Sequence, residues 1–140
     1  NFFEFRNAFI FKPNRKELED SFGIKLKDLE YLDEIAAKLM KKISCSNIIF
    51  TLGEQGMMIY ESVKGKIKKE KISTKARKVA DVSGAGDTVI STIAVCLSGG
   101  ASVHDAAVIS NYAAGLVVQE VGIVPVFKNE LIKNILSKDK

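Results

Sequence analysis

Residues Asp81-Val82-Ser83-Gly84-Ala85-Gly86-Asp87 set a carboxylate at each end of a glycine-rich run. Downstream, Val89, Ile90, Ile93, Ala94 and Leu97 recur at helical spacing, which predicts an amphipathic helix that opens where the run ends. Gly84 to Gly86 then lie at or just before a helix N-terminus, where amides lack partners within the helix. Such a turn attracts anions, because glycine lets backbone approach a ligand closely while free amides and the positive end of the helix dipole favour negative charge. The run therefore reads as a site that receives a phosphoryl group. Asp87 stands where that charge gathers, and the plainer account of its carboxylate is complementation of the helix dipole.

The elements that position this turn follow from pattern. Ala8 to Phe11 predicts a short strand stopped by Lys12-Pro13, and Asn14 with Glu17 forms a capping-box pattern for a helix ending near Phe22-Gly23. A carboxylate at that helix start is also a sensible holder of metal-bound water beside phosphate. A second helix is predicted from Asp28 to Lys42, with Leu29, Leu32, Ile35, Ala36, Leu39, Met40 and Ile43 on one stripe. Strands are predicted at Asn47 to Leu52 and Met57 to Tyr60. The glycines of the Gly53 to Gly56 turn between them suit a plain hairpin or backbone passing beside a nucleotide. A Lys-rich hairpin at Lys64-Gly65 leads to a strand at Ile67 to Ile72. Ser102, with Asp105 three residues on, caps a helix expected to reach Glu120 before Gly122 ends it, and Asn129 is expected to cap a last helix to Ser137. Alternating strands and helices indicate an α/β sandwich with a mostly parallel sheet. The turn lacks the third glycine of a dinucleotide-binding Gly-x-Gly-x-x-Gly, and the chain has no Gly-x-x-x-x-Gly-Lys-Ser/Thr.

With 46% apolar and 27% charged residues, 140 residues suffice for one core, and one domain is expected. Cys45 and Cys96 are too few and too far apart for a zinc site or disulfide framework; read as two buried reduced thiols, they indicate a cytoplasmic protein. No apolar run approaches the roughly 20 residues of a membrane span, and no signal-peptide pattern opens the sequence. The net charge of +4 and pI near 9.0 come mostly from Lys64 to Lys78. That stretch has no aromatic residue for base stacking and alternates as a hairpin strand does, so it reads as a lysine-protected sheet edge rather than a nucleic-acid surface. His104, on an exposed first helical turn, is assigned no catalytic role. The cluster Phe2, Phe3, Phe5, Phe9 and Phe11 predicts an exposed apolar surface suited to a contact.

Asp81-x-x-Gly84-Ala85-Gly86-Asp87 resembles the C-terminal signature of the ribokinase-like (PfkB) sugar kinases, in which the final Asp is the catalytic base. Three further segments agree in order and spacing. Asn14-Arg15-Lys16-Glu17 matches the family's Asn-x-x-Glu motif, which organises magnesium and phosphate. Thr51-Leu52-Gly53-Glu54-Gln55-Gly56 is similar to its nucleotide-side turn, and Asn111-Tyr112-Ala113-Ala114-Gly115 to the helix passing the adenine. The resemblance implies a three-layer ribokinase-like sandwich and an ATP- and Mg2+-dependent sugar kinase. Asp87 is then the base, and Gly84, Ala85 and Gly86 stabilise the transferred group. Thr51, Gly53, Gly56, Asn111, Ala114 and Gly115 line the nucleotide, Asn14 and Glu17 organise metal, and Asp81 and Ser83 hold the turn or a monovalent cation beside it.

By the same resemblance, residues 1–140 are the C-terminal nucleotide-binding and catalytic half, about half the family's length. Its partners are a sugar or sugar phosphate, the N-terminal half and a second copy of the chain, with no nucleic acid and no membrane. Asp81 to Ile90, with Asn111 to Gly115 followed by Val117-Val118, most resembles heptose-7-phosphate kinases, which phosphorylate the anomeric hydroxyl. After Gly122 that group carries a Thr-Ser-Thr-like run where this chain has Ile123-Val124-Pro125-Val126. The alternatives are a catalytically inactive nucleotide-binding module and a kinase for another sugar.

Overall fold

The computed structural model describes residues 2–26, 29–76 and 79–138. Expectations that fall on Asp28, Arg77, Lys78 and the Phe2 side chain lie outside them. Contacts gather the chain into two compact units: the residues up to Gly53 with Met57–Lys71, and Glu54–Gly56 with the residues from Ile72 onward.

The first unit holds β1 (Ile10–Phe11), α1 (Arg15–Phe22), α2 (Tyr31–Ile43), β2 (Asn47–Thr51), β3 (Met57–Val63) and nearly all of β4 (Lys66–Ile72). The sheet has the order β1-β2-β3-β4. It is mixed: β1 runs parallel to β2, and a further parallel bridge joins Asn14 to Thr51, whereas β3 returns antiparallel to β2 with Ile49 opposite Ile59. The two-residue Lys64-Gly65 turn then hairpins β3 into β4, and both residues take the left-handed φ that such a turn requires. β4 ends the sheet with exposed lysines, as an edge guarded against further pairing would.

α2 lays Leu32, Ile35, Leu39 and Ile43 on Leu18, Ile48, Phe50 and Tyr60 as one core. At its first turn, Asp33 accepts hydrogen bonds from the Tyr60 hydroxyl (2.8 Å) and the Lys69 ammonium. The Lys69 bond holds the Asp33 carboxyl below its usual range, and burial raises the Tyr60 hydroxyl above its own. Cys45 is buried, with its thiol donating to the Asn47 carbonyl at 2.8 Å.

Several boundaries differ from expectation for local reasons. β1 is two residues rather than Ala8 to Phe11, because Asn7 is left-handed and the Phe9 carbonyl accepts from the Asn47 side chain (2.9 Å) instead of a ladder amide. Of the described residues, α2 begins only at Tyr31. Phe5 and Phe9 are exposed, as the aromatic opening predicts, while Phe3 packs edge-on to Phe22 at 5.5 Å.

The second unit contains α3 (Ala85–Ser98), α4 (Val103–Val117) and α5 (Lys128–Lys138), with α3 and α5 both against α4. α4 is buried around most of its circumference, from Val103 to Val117, through small residues such as Ala106, Ala107, Ser110 and Ala113. On α3 only Val89 and Ile93 are buried; Ala94 is exposed and Ile90 and Leu97 are half-buried, so the packed line is narrower than the sequence stripe. Cys96, expected to be buried, is also half-buried. α5 opens at Lys128, one residue before the expected Asn129 cap, with the Leu131 amide donating to the Phe127 carbonyl (3.0 Å). Among the described residues no helix is long and apolar enough to cross a membrane.

α4 stops at Val117 rather than Glu120, because the Gln119 and Glu120 amides turn back to the Leu116 and Val117 carbonyls (3.2 and 3.1 Å) in i−3 bonds; Asp81 then holds the residues that follow. A longer helix would pair the Gly122 amide with the Val118 carbonyl. Instead the Asp81 and Ala80 amides donate to that carbonyl (3.3 and 2.7 Å), and the Gly122 amide donates to Asp81 Oδ2 (3.1 Å). Asp81 Oδ1 meanwhile accepts from the Ser83 amide (2.9 Å) and hydroxyl (2.8 Å). These donors, the Ser83 amide foremost, hold the Asp81 carboxyl below its ordinary value of 3.8.

Two predictions follow from this packing. Gly53 and Gly56 are both left-handed, but an added Cβ meets open space at Gly53 and stands 2.0 Å from the Ile72 carbonyl oxygen at Gly56. Gly53→Ala should cost the conformational penalty alone, about 1–2 kcal/mol. Gly56→Ala should cost about 1–3 kcal/mol more, since backbone must move. Equal losses in thermal denaturation would contradict the Gly56 contact. Because its folded value is depressed, the Asp81 carboxylate stabilises the turn throughout the range above 3.8 and loses that contribution as pH falls through the lower folded value. The amide resonances of Ser83 and Gly122 should titrate together below 3.8; an inflection above it would refute the assignment.

Candidate active site

The glycine turn is built to leave amides free. Gly84 caps α3 with φ +75° and contributes no side-chain bond to it. The Ala85 amide closes on the Val82 carbonyl (3.2 Å) and the Thr88 amide on the Gly84 carbonyl (2.9 Å). Between them, the amides of Gly86 and Asp87 meet no acceptor among the described residues. Both residues are exposed, with the Asp87 carboxylate on the same first turn. Amides without acceptors at the positive end of a 14-residue helix can meet an anion, and a carboxylate on the same turn can accept a proton. Ala85 is half-buried under the turn.

Asp81 and Ser83 are bonded to each other, and Asp81 also reaches Gly122. They brace the turn from below. Gly122 entered the sequence reading only as a helix stop; the structure gives it a left-handed φ of +87°, and its partner 41 residues earlier was not legible.

On α4, Asn111 is 4% exposed and its side-chain amide donates to the Ser73 carbonyl at 2.7 Å. Gly115 lies against the backbone of Lys75 and Ala76, where an added Cβ would stand 3.3 Å from Ala76 N. Both residues therefore hold the segment after β4, with Lys75 over the Tyr112 ring. Ala114 is half-buried. Ser73 carried no signal in the sequence, since a carbonyl acceptor can belong to any residue type. His104 is near Asp105 Oδ1 (3.4 Å), and Asp105 is held below its usual value mainly by the Ser102 hydroxyl of the α4 cap.

In the first unit the Asn14–Glu17 pair forms a complete capping box: the Glu17 amide donates to Asn14 Oδ1 (2.9 Å) and the Asn14 amide to Glu17 Oε2 (2.6 Å). Glu17 is exposed, so its carboxylate caps the helix and still faces solvent. Thr51 donates its amide to the Pro13 carbonyl (3.1 Å), which sets the end of β2 beside the start of α1. Gly53 begins a left-handed entry to the 3-10 turn Gly53–Gln55. Among the described residues no cluster of three or more His, Cys, Asp or Glu could hold a metal by itself.

Comparison with known proteins identifies the family. The family model for pfkB family carbohydrate kinases matches residues 5–128. The bifunctional protein HldE of Desulfatibacillum aliphaticivorans is 39% identical over 128 residues, 91% of this chain and 26% of its own length. That of Nitratiruptor sp. is 38% identical over 122 residues, 87% of this chain and 25% of its own. The chain thus spans about a quarter of the curated relatives it matches. Among solved structures, Arabidopsis thaliana ribokinase complexed with ribose and ATP superposes with a TM-score of 0.79 at 28% identity, covering 90% of this chain and 40% of that one. Escherichia coli phosphofructokinase-2 gives 0.82 at 18% identity, covering 99% and 43%. The fold is ribokinase-like, and the chain belongs to the pfkB family of carbohydrate kinases.

Proposed function

We propose that residues 1–140 are the C-terminal nucleotide-binding and catalytic half of an ATP-dependent sugar kinase that transfers the γ-phosphoryl group to a sugar or sugar-phosphate hydroxyl. The observation that carries this reading is the exposed first turn of α3, which holds two amides without acceptors and the Asp87 carboxylate. Phosphoryl transfer asks a protein mainly for positioning and for charge stabilisation. Asp87 accepts the proton of the sugar hydroxyl as its oxygen attacks. The Gly86 and Asp87 amides meet charge gathering on the transferred group, and Gly84 lets the backbone take the left-handed step that exposes them. Asn14 and Glu17 would orient Mg2+ and its waters, and the ion when bound would supply charge screening to the phosphates. Thr51, Gly53, Gly56 and Ala114 border the nucleotide, while Asn111 and Gly115 serve it by fixing the segment at Ser73 to Ala76.

The acceptor in this reading is D-glycero-D-manno-heptose 7-phosphate at its anomeric position. Support comes from the Asp81 to Ile90 and Asn111 to Val118 runs and from the identity to bifunctional protein HldE. ATP as donor is supported by the ribokinase relative solved with that nucleotide. The reaction belongs in the cytoplasm, where ATP and reduced thiols such as Cys45 and Cys96 are at home.

Asp87→Asn in the complete polypeptide keeps the shape of the turn and removes the proton acceptor. Turnover should fall by about 10² to 10⁴ with Mg-ATP affinity little changed. Were Asp87 only a dipole partner, stability would drop by about 0.3 to 1 kcal/mol and turnover would survive. The assay is ATP-dependent phosphorylation of heptose 7-phosphate, with ribose and fructose phosphates in parallel. Activity confined to another sugar would overturn the heptose assignment alone.

A further inference from the structure

We propose that Ile123 is a specificity-determining residue for phosphoryl transfer: it sets a dry apolar wall against the Gly84 face of the turn before α3, which favours a sugar hydroxyl over water as the acceptor. This deepens the kinase reading above and rests on it. The need for such a wall lies in the chemistry of Asp87. In transfer, the sugar oxygen bonds to the γ-phosphorus, the bond from that phosphorus to the oxygen it shares with ADP breaks, and the hydroxyl proton passes to the carboxylate. Water can enter the same step, giving ADP and inorganic phosphate. Asp87 is exposed, so its carboxylate by itself does not choose between the two.

One side of that turn is faced by carbon. Apart from Gly84 itself and its chain neighbours, the three atoms nearest to where a Cβ of residue 84 would stand all belong to Ile123: Cγ2 at 3.4 Å, Cγ1 at 3.7 Å and Cβ at 3.9 Å. A water held at a fixed place takes hydrogen bonds from about two to four polar partners, and the residue facing that point offers none. Ile123 is brought there by its neighbour, since the Gly122 amide donates to Asp81 Oδ2 at 3.1 Å. Residues 123–126 carry no polar side chain, and Val82 adds an apolar side chain on the segment that enters the turn. Ile123 and Val82 are 82% and 69% exposed, which leaves their surface open to the reactants. An apolar flank beside a carboxylate that accepts protons excludes water from the reacting group without adding a competing hydrogen bond.

The test uses two substitutions of one shape in the complete polypeptide. Ile123→Val retains Cβ and both γ-carbons, the atoms that face Gly84; Ile123→Thr matches it in outline but exchanges one γ-carbon for a hydroxyl. Sugar phosphate formed and inorganic phosphate released from ATP are measured for each and for the unaltered polypeptide. Ile123→Val is expected to keep the unaltered ratio of transfer to hydrolysis, and Ile123→Thr to lower it by about tenfold or more. A residue that only supports the fold would lower both rates together and leave the ratio unchanged. Crystals grown with a non-hydrolysable ATP analogue are expected to show an ordered water between residues 123 and 84 in Ile123→Thr and none in the unaltered polypeptide. An unchanged ratio in Ile123→Thr, or an ordered water at that place beside Ile123 itself, overturns the proposal. If the unaltered polypeptide phosphorylates no sugar, the kinase reading falls, and the ordered water alone decides whether Ile123 keeps the Gly84 face dry.

Discussion

Asp81 takes over both halves of a helical hydrogen bond that the chain would otherwise make within itself. Val118 and Gly122 have the spacing to pair as helix α4 continues. Asp81 gives its amide to the first and its carboxylate to the second. The residues after α4 are thereby tied to the glycine turn 41 positions earlier in sequence. The same carboxylate holds the Ser83 amide and hydroxyl, so the backbone enters Gly84 at a fixed angle. With Gly84 left-handed, α3 starts with the Gly86 and Asp87 amides meeting no acceptor among the described residues.

Magnitudes separate the two accounts of that turn. An anion at a helix terminus gains about 0.3–1 kcal/mol from the dipole at an exposed position. That is enough to explain an acidic residue in the first turn and far too little for catalysis. Oriented donors aimed at developing charge contribute about 2.7–4 kcal/mol each in the transition state. A positioned base adds a further factor of about 10² to 10⁴ in rate. The geometry is suited to the larger effect because it presents unpaired amides and a carboxylate on one turn; a dipole partner alone needs no left-handed glycine before it.

Much of this was legible in the sequence where the interactions are local. The Asn14–Glu17 box, the Gly23 stop of α1, the Ser102–Asp105 cap and the glycine turn are set by residues within a few positions of one another, and the structure has all of them. What was not legible is long-range. Asp81 ties down the residues after α4 through Gly122, 41 residues on, and the Asn111 side chain is anchored on Ser73, 38 residues away. The glycine requirement at Gly56 comes from the Ile72 carbonyl rather than from turn geometry alone. Composition at either partner says nothing about such pairs. The stripe on α3 was too broad for a similar reason: periodicity marks apolar positions, but the neighbours that cover them come from the rest of the fold.

The central claim is that the first turn of α3 receives the transferred phosphoryl group. The most direct measurement compares amide resonances of Gly86 and Asp87 in the complete polypeptide with Mg-ADP and with a non-hydrolysable ATP analogue. The account predicts large shifts of both amides with the triphosphate analogue and little response to the diphosphate, since only the γ-phosphate reaches them. Equal shifts with both nucleotides, or shifts with neither at saturating nucleotide, would contradict it.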